Sequence, residues 1–557
     1  MLSTPLSKTT RAGLSQLLSN SQWAAQWGHS RRRPRARPSA VDQQRKGAHA
    51  VAVNPATDFF TSTIPGTSQR TKPVGFDEEP CTLALTDGYG YAKVDIGDRL
   101  GSENEYEVVR KLGWGMYATT WLVYDHSTKK YYALKAVNEY GTYLENNESV
   151  GRQHPQFHER EILERISNPS KPTSRGPKRC LRLVNSFYTY RGDAQYLCLV
   201  LELGGMDLGS LRSQIGSDYA LHPALVKSIL KQICWALDYI HIECKVVHTD
   251  LKPGNILIGL NPREGKRLVK SALQESPVQR YPPRRIMGET VEAIKSQPLP
   301  LFGNIGDSQD DMLSLKFKLG DFGSAQWLGR RSTNLVQPIR LRAPEVVLGR
   351  DWDEKIDIWS LGCLTYEFLT GHSLFRARGG PTWSDEDDLL ASQLEILSQT
   401  QQFPEYFVQN LRHGARHLSQ NGSLRNIPDR MMYPKSLENA LSKYPNAPIN
   451  LLSHSPPSPS SSSSSSAISS SIPSPTVPPS GSTSAMEERD LALSFLARCL
   501  TFDPKQRASA RELLWHPWIR GSKNQERKVS EKRERSLGVS NRVDKGDALH
   551  QYHRFSS

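Results

Sequence analysis

The stretch His248-Thr-Asp-Leu-Lys-Pro-Gly-Asn255 narrows the folds open to this chain more than any other feature. Asp, Pro, Gly and Asn are turn formers, so the octapeptide alone would read as a tight turn. It does not stand alone. Gly113-Trp-Gly-Met-Tyr-Ala118 precedes it between two strand-like runs, Lys135 ends Tyr132-Ala-Leu-Lys on the next run, and Asp321-Phe-Gly323 follows a short run at Leu315–Leu319. Each is commonplace singly. In this order and at these separations they point to one fold that gathers distant segments around a cleft.

Their chemistry is that of phosphate handling. Glycines at 113 and 115 let a backbone close over phosphate oxygens, which accept from main-chain N–H groups. The loop joins strand to strand, so it is not the strand-to-helix dinucleotide fingerprint, and its third small position is Ala118. A Lys between apolar neighbours on a half-buried strand must snorkel or meet an anion. Glu159, on a helix read at Pro155–Ile166, is the candidate to hold the Lys135 ammonium; taken alone it would be a solvated helix charge. Phosphoryl transfer needs positioning and charge neutralisation. Asp250 would accept a hydroxyl proton and Lys252 would neutralise the moving phosphoryl group. Asn255 and Asp321 would offer oxygens to Mg²⁺. Ala343-Pro-Glu345, Asp357-Ile-Trp-Ser-Leu-Gly362 and Asp503-Pro-Lys-Gln-Arg507 read as scaffold: Glu345 with Arg507 as a buried ion pair, Asp357 as a cap for the 248–255 loop.

Alternation marks five strands, at Tyr106–Leu112, Thr119–Tyr124, Lys130–Val137, Leu181–Tyr190 and Tyr196–Glu202. With the 155–166 helix they make a small first lobe, 86–204. Helical periodicity follows at His222–His241, Glu354–Leu369, Asp387–Gln399, Arg489–Leu500 and Ala508–Leu514, making a second lobe, 205–520. Two insertions interrupt it. Residues 261–314 are mixed and hold Pro and Arg. Residues 453–486 are Ser- and Pro-dominated and should be a disordered loop, because such sequence buries too little apolar area to offset chain entropy.

The net charge of +14 over 557 residues would suggest nucleic acid or membrane, but residues 1–60 carry net +7 and residues 520–557 net +5. The basicity belongs to the ends, 1–85 and 521–557, read as disordered basic tails. No direct nucleic-acid contact and no membrane association is therefore expected, and the chain is expected to be a monomer. Seven scattered cysteines without C-x-x-C fit a reducing compartment, cytoplasm or nucleus. The acid-free stretch 1–41 resembles a mitochondrial transit peptide, the minority reading beside a disordered arm.

From about Tyr106 to Ile519 these motifs resemble the eukaryotic protein kinases. The resemblance implies an α+β bilobal fold, with a small mainly antiparallel β N-lobe carrying one helix, a larger mainly α C-lobe, and ATP in the cleft. It implies an ATP-binding set of Leu112, Gly113, Gly115, Ala118, Lys135 and Glu159, with Leu201 as gatekeeper. Glu202 and Gly204 would offer hinge backbone groups, and Thr120, Ala133 and Leu257 would sandwich adenine. Asp-Leu-Lys-Pro around Asp250 is similar to Ser/Thr rather than Tyr kinases. Ile96-Gly-Asp98 before Arg110-Lys-Leu-Gly-Trp-Gly115, His248-Thr-Asp250 in place of His-Arg-Asp, and the 261–314 spacer resemble the serine/arginine-rich-protein kinases, which implies Arg/Ser-rich or basic protein substrates and a role in mRNA processing.

Several positions depart from that family. Pro338 stands where it has Thr, and His372, Arg376 and Arg378 stand where it is acidic. An acidic docking groove would hold Arg-rich substrates by bidentate contacts; Asp385, Glu386, Asp387 and Asp388 could supply it or could be a helix N-terminus favoured by the macrodipole. Thr249 replaces the Arg that pairs with an activation-loop phosphate, so activity without such phosphorylation is expected. The rival readings are other Ser/Thr specificity, a pseudokinase scaffold, disfavoured because Lys135, Asp250 and Asp321 are all present, and a nucleic-acid binder acting through its ends, disfavoured because those ends hold no recognised module.

Overall fold

The computed structural model describes residues 78–79, 85, 90–146, 157–171, 174–215, 218–286, 289–301, 309–428, 431–451 and 480–520. Of the stretches expected to be disordered, 1–85, 453–486 and 521–557, residues 1–77, 80–84, 453–479 and 521–557 lie outside the described residues.

Alternating apolar residues build the first lobe. β1 (Arg99–Leu100), β2 (Tyr106–Gly115), β3 (Ala118–Asp125) and β4 (Lys130–Val137) are followed by α1 (Glu139–Asn146), α2 (Glu159–Ser167), β5 (Leu183–Arg191) and β6 (Ala194–Glu202). They form one six-stranded antiparallel sheet in the order β1-β2-β3-β4-β6-β5. One face buries Val108, Trp121, Val123, Leu134, Cys198 and Val200. The lobe thus has one more strand and one more helix than the alternation predicts. β1 is two residues long and α1 eight, too short to leave a periodic signal.

The second lobe begins at β7 (Gly204–Asp207) and α3 (Leu208–Ile215). The 17-residue α4 (Pro223–Tyr239) is started by His222, whose ring accepts the Ala224 N–H, and by Pro223 at its first turn. It buries Val226, Ile229, Leu230, Ile233 and Leu237. A π-turn at Ile240–Cys244 leads into β8 (Val246–Val247) and β9 (Ile256–Gly259).

The spacer, mixed in composition, proves to be built. α5 (Pro262–Glu275) starts at a capping box of Asn261 and Glu264 with Pro262 at N1. A hairpin of β10 (Arg284–Ile286) and β11 (Glu289–Val291) and the short α6 (Gln309–Ser314) follow. α5 presses Leu268, Val269 and Ala272 onto Leu122 of β3, with Val109, Leu112, Tyr131 and Leu203 around them. The insertion leaves the second lobe and packs on the first, behind the segment that joins them. Arg110 of β2 fixes it there. Its guanidinium is buried and donates to the carbonyls of Ala272, at 2.8 Å, and Ser276, where the helix dipole is negative. Arg110→Ala should cost about 2 kcal/mol in chemical unfolding, since it strands those carbonyls.

Glu78 and Glu79 are also packed, although they fall within the expected arm 1–85. Both pair with the buried Lys111 Nζ, Glu78 at 2.7 Å, and Glu78 also accepts the Ser296 hydroxyl at 2.8 Å. Two carboxylates share one ammonium out of water, and burial raises the Glu79 carboxyl from 4.5 to about 7. A raised folded value means that folding takes up a proton: the contribution is full below pH 4.5 and is lost as pH rises through 7. The thermal midpoint should therefore fall between pH 6 and 8 (about those values), and Glu79→Gln should flatten the slope.

β12 (Phe317–Leu319) pairs with β9, which pairs with β7; β13 (Gln326–Trp327) pairs with β8. α7 (Pro344–Val347), α8 (Lys355–Thr370), α9 (Asp385–Leu397), four short helices between 405 and 451, α10 (Ser480–Cys499), α11 (Ala510–Leu514) and α12 (Pro517–Arg520) complete the lobe. α10 starts at Ser480, inside the expected 453–486 loop. No helix among the described residues is long and apolar enough to cross a membrane.

Candidate active site

The loop Gly113–Ala118 is the tight connection of β2 and β3, with Gly113 opposite Thr120 and Gly115 opposite Ala118. A Cβ at Gly113 or Gly115 would meet nothing within 4 Å, so the backbone there faces open space. The loop is tied down from one side: the Tyr91 hydroxyl donates to Gly115 O at 2.9 Å, and the Asn138 N–H to Tyr117 O at 2.7 Å.

The residues expected to flank adenine lie on neighbouring strands. Ala133 stands opposite Leu201 across β4 and β6, and Thr120 stands opposite Lys135 across β3 and β4. Leu257 lies in the middle of β9. A Cβ at Gly204 would come within 2.8 Å of Leu257 Cδ1 and 3.3 Å of its Cβ, so a larger residue there would push the Leu257 side chain aside. The side chain of Glu202 turns away to Arg182 and to Lys318, 2.6 Å off. Leu112 packs toward the spacer helix.

The two lobes meet at Lys135. Its ammonium donates to Glu159 Oε1 at 2.7 Å and to Asp321 Oδ1 at 3.0 Å. Burial alone would lower its pKa; Asp321 and Glu159 outweigh that and hold it raised. Lys135 in turn holds the Asp321 carboxyl well below the usual range. Glu159 is positioned by its helix, whose first N–H groups are capped from outside. Glu145 of α1 accepts from the Glu159 and Arg160 amides at 3.0 and 2.9 Å. A Cβ on Gly323 would press within 3.1 Å of Lys135 Nζ and 3.3 Å of Glu159 Oε2, so the glycine keeps the triad closed.

Opposite stands the 248–255 loop. Asp250 Oδ2 accepts from Lys252 Nζ at 2.8 Å and from Asn255 Nδ2 at 3.0 Å. Asn255 Nδ2 also donates to Asp250 O at 2.8 Å, which leaves its amide oxygen as the outward donor atom. Asp357, fully buried, accepts the His248 N–H at 2.8 Å, the Thr249 N–H at 2.9 Å and a contact from His241 Nε2 at 2.8 Å. This grip matters because Thr249 is β-branched and sits at φ 64°, and Asp321 at φ 55°. Both are left-handed positions, which cost energy and persist only where neighbours over-determine them.

The segment that follows Asp321 is tied to the 248–255 loop and to the turn before it. The Thr249 hydroxyl donates to Ser324 O at 2.7 Å, β13 pairs with β8, and the Leu328 N–H reaches Lys245 O at 2.7 Å. Further on, Gln337 donates to Ile356 O and Ser360 Oγ, both at 2.8 Å, and accepts the Ala343 N–H at 2.9 Å. Sequence reading missed Gln337, Glu145 and His241, because a lone Gln, Glu or His carries no spacing signal. The Asn261–Glu264 capping box ahead of Leu268, Val269 and Ala272 was a readable sign of the spacer helix.

The acids of α9 resolve as structural. Asp387 pairs with His417 Nδ1 at 2.7 Å and closes a capping box with Ser384. Asp388 accepts the Arg378 N–H at 2.9 Å and lies 3.5 Å from Arg376, which also binds the buried Glu395 at 2.9 Å. Glu386 pairs with Arg342 at 3.3 Å, and Asp385 accepts the Gly379 N–H. The basic Arg376 thus neutralises from within carboxylates that could have faced a partner. Pro338 starts the turn Ile339–Leu341.

For a divalent ion, Asp321, just after β12, and Asn255, just before β9, offer hard oxygens, which fits Mg²⁺. Among the described residues no group of three or more His, Cys, Asp or Glu could hold a metal. An ion here would complete its shell with phosphate and water oxygens.

Comparison with known proteins agrees with this geometry. The protein kinase domain family matches residues 106–287 and 304–519. The chain is 30% identical over 444 residues to a serine/threonine-protein kinase SRPK of Physarum polycephalum, covering 77% of this chain and 89% of that one. It is 28% identical over 421 residues to protein kinase dsk1 of Schizosaccharomyces pombe, covering 62% and 74%, and 24% identical over 558 residues to SRSF protein kinase 3 of Mus musculus, covering 77% and 88%.

Proposed function

The chain belongs to the protein kinase family as a divergent member of the serine/arginine-rich-protein kinase group, and from that premise we propose how it works and on what it acts. It is an ATP-dependent Ser/Thr protein kinase. The observation that carries the reading is Lys135 bridging Glu159 and Asp321 across the cleft from Asp250, Lys252 and Asn255.

ATP lies under Gly113–Ala118, with adenine between Ala133 and Leu257 and its α/β-phosphates at Lys135. Mg²⁺ is the ion we assign to Asp321 and Asn255; bound there it would neutralise phosphate charge. Asp250 orients the acceptor hydroxyl and takes its proton, and Lys252 offsets the charge on the transferring group. A radiolabel transfer assay tests this directly: no transfer above an Asp250→Asn control would sink it.

We assign it Ser in Arg/Ser-rich or basic protein segments as acceptors, on the strength of its similarity to an SRPK and to an SRSF protein kinase. The exposed Asp385 and half-exposed Glu386 are the carboxylates of α9 left nearest to solvent. Arg-Ser repeat peptides should be phosphorylated faster than Ser-Pro or acidic peptides of equal length; the reverse order refutes the assignment. We also infer that the enzyme acts as a monomer on protein rather than nucleic acid, in the cytoplasm or nucleus, where its six described thiols, all buried, stay reduced.

The latch of Thr249 on Ser324 supports activity without activation-segment phosphorylation. Phosphatase treatment should leave the specific activity within about twofold, since no phosphate-binding Arg stands at position 249. Loss of activity on treatment counts against this.

A further inference from the structure

Lys231 and Trp235 lie one turn apart on α4 and share a face. The Lys231 ammonium stands 5.9 Å from the centroid of the Trp235 ring. Two guanidinium groups reach the same indole from the segment before β5: Arg175 at 4.7 Å and Arg179 at 5.8 Å. Lys178, exposed, lies between them in sequence. Gly176 pins this segment to the helix, for a Cβ there would come within 2.7 Å of Trp235 O.

One cation over an indole is a common, mildly favourable contact. Three on one ring repel each other, and Lys178 adds a further positive charge to the same segment. Burial and the neighbouring Arg175 charge hold Arg179 below its usual pKa, and its Nε is buried without a hydrogen-bond partner among the described residues. Among the described residues, none of the four cations has a salt bridge to a carboxylate. Asp238, three residues beyond Trp235, is taken by Arg511 at 3.0 and 3.2 Å. The four cations stand on the segment before β5 and on α4, elements that carry none of Asp250, Lys252, Asn255 and Asp321.

An anion with several acceptor oxygens would relieve this repulsion. A phosphate monoester is such an anion, and guanidinium forks match its oxygens two at a time. The half-buried indole adds an apolar seat for a flanking side chain. Single-stranded nucleic acid asks for something else, a track of successive aromatic platforms, whereas here one aromatic stands in one compact cluster. We propose that Arg175, Arg179 and Lys231 around Trp235, with the exposed Lys178 on the same segment, form a docking site for phosphoserine- or phosphothreonine-bearing protein segments. Such segments are the product class of the reaction assigned above, and the proposal rests on that reading only for their source.

The test is binding rather than transfer, so the two ideas fail separately. A fluorescent peptide with two phosphoserines and no free Ser, Thr or Tyr would be titrated with the full-length protein saturated with a non-hydrolysable ATP analogue. Anisotropy should show binding that weakens about tenfold when Ala replaces both phosphoserines, and about tenfold again in the protein variant Arg175→Glu/Lys231→Glu. Phosphorylation of a short basic peptide should be unchanged in that variant. If charge reversal unfolds the chain, Arg175→Gln/Lys231→Gln gives the same comparison with less perturbation. Equal binding of the phosphorylated and Ala peptides, or unchanged binding by the folded variant, overturns the proposal. So does tighter binding of a single-stranded oligonucleotide that the variant abolishes.

Discussion

Asp250→Asn should lower the rate of phosphoryl transfer by about 10³-fold while leaving nucleotide affinity within about twofold. The substitution keeps the shape of the side chain but removes its capacity to take a proton. Asp250 Oδ2 also organises the loop, since it receives Lys252 Nζ and Asn255 Nδ2 at 2.8 and 3.0 Å. An amide nitrogen turned toward either would repel it, so the group that steadies the transferring charge would shift as well. The nucleotide contacts assigned to Lys135 and Gly113–Ala118 involve neither atom. Single-turnover transfer and fluorescent-nucleotide binding, measured on the same preparation, separate the two effects. A variant that keeps more than about a tenth of the rate would remove Asp250 from the role of base.

Arg507→Ala should destabilise the second lobe by about 3–5 kcal/mol, the cost of leaving a buried charge without its partner. Arg507 and Glu345 are both shut off from solvent and pair through two contacts of 2.7 and 3.1 Å. The guanidinium also donates to Lys355 O at 2.9 Å, Thr501 O at 3.0 Å and Phe502 O at 3.3 Å, and lies 4.9 Å over the Trp359 ring. Ala leaves these carbonyls and the Glu345 carboxylate unmatched. The double variant Arg507→Met/Glu345→Gln should recover a good part of the loss, because it removes the stranded charge while keeping apolar volume. Denaturant titration of the parent and the two variants checks both statements; an Arg507→Ala variant within about 1 kcal/mol of the parent would refute the first.

The five longer strands of the first lobe and the long helices of the second were legible because each carries its own period. Lys130–Val137 appears with the bounds that alternation alone assigns, and the long helix Pro223–Tyr239 falls where its apolar stripe runs. The catalytic loop was legible because turn formers and charges crowd eight residues. The docked spacer was not, although Asn261, Pro262 and Glu264 mark a helix start. Its partner face, Leu122 with Leu203, lies in the other lobe and far away in the chain. The role of the α9 acids stayed open for the same reason. Whether Asp387 and Asp388 face a partner or the protein depends on His417 and Arg376 arriving beside them.

What the amino-acid order determined by itself is the chemistry and the local structure: which residues can carry a proton, a phosphate or a metal, and which runs become strand or helix. Those properties belong to single side chains and to short periods. What only the tertiary structure decided is which charges are spent. Lys135 finding both Glu159 and Asp321, Arg376 closing on Glu395, and three cations gathering on Trp235 are matters of distance in space. Electrostatic energy depends on separation and burial, and neither is written in the spacing along the chain.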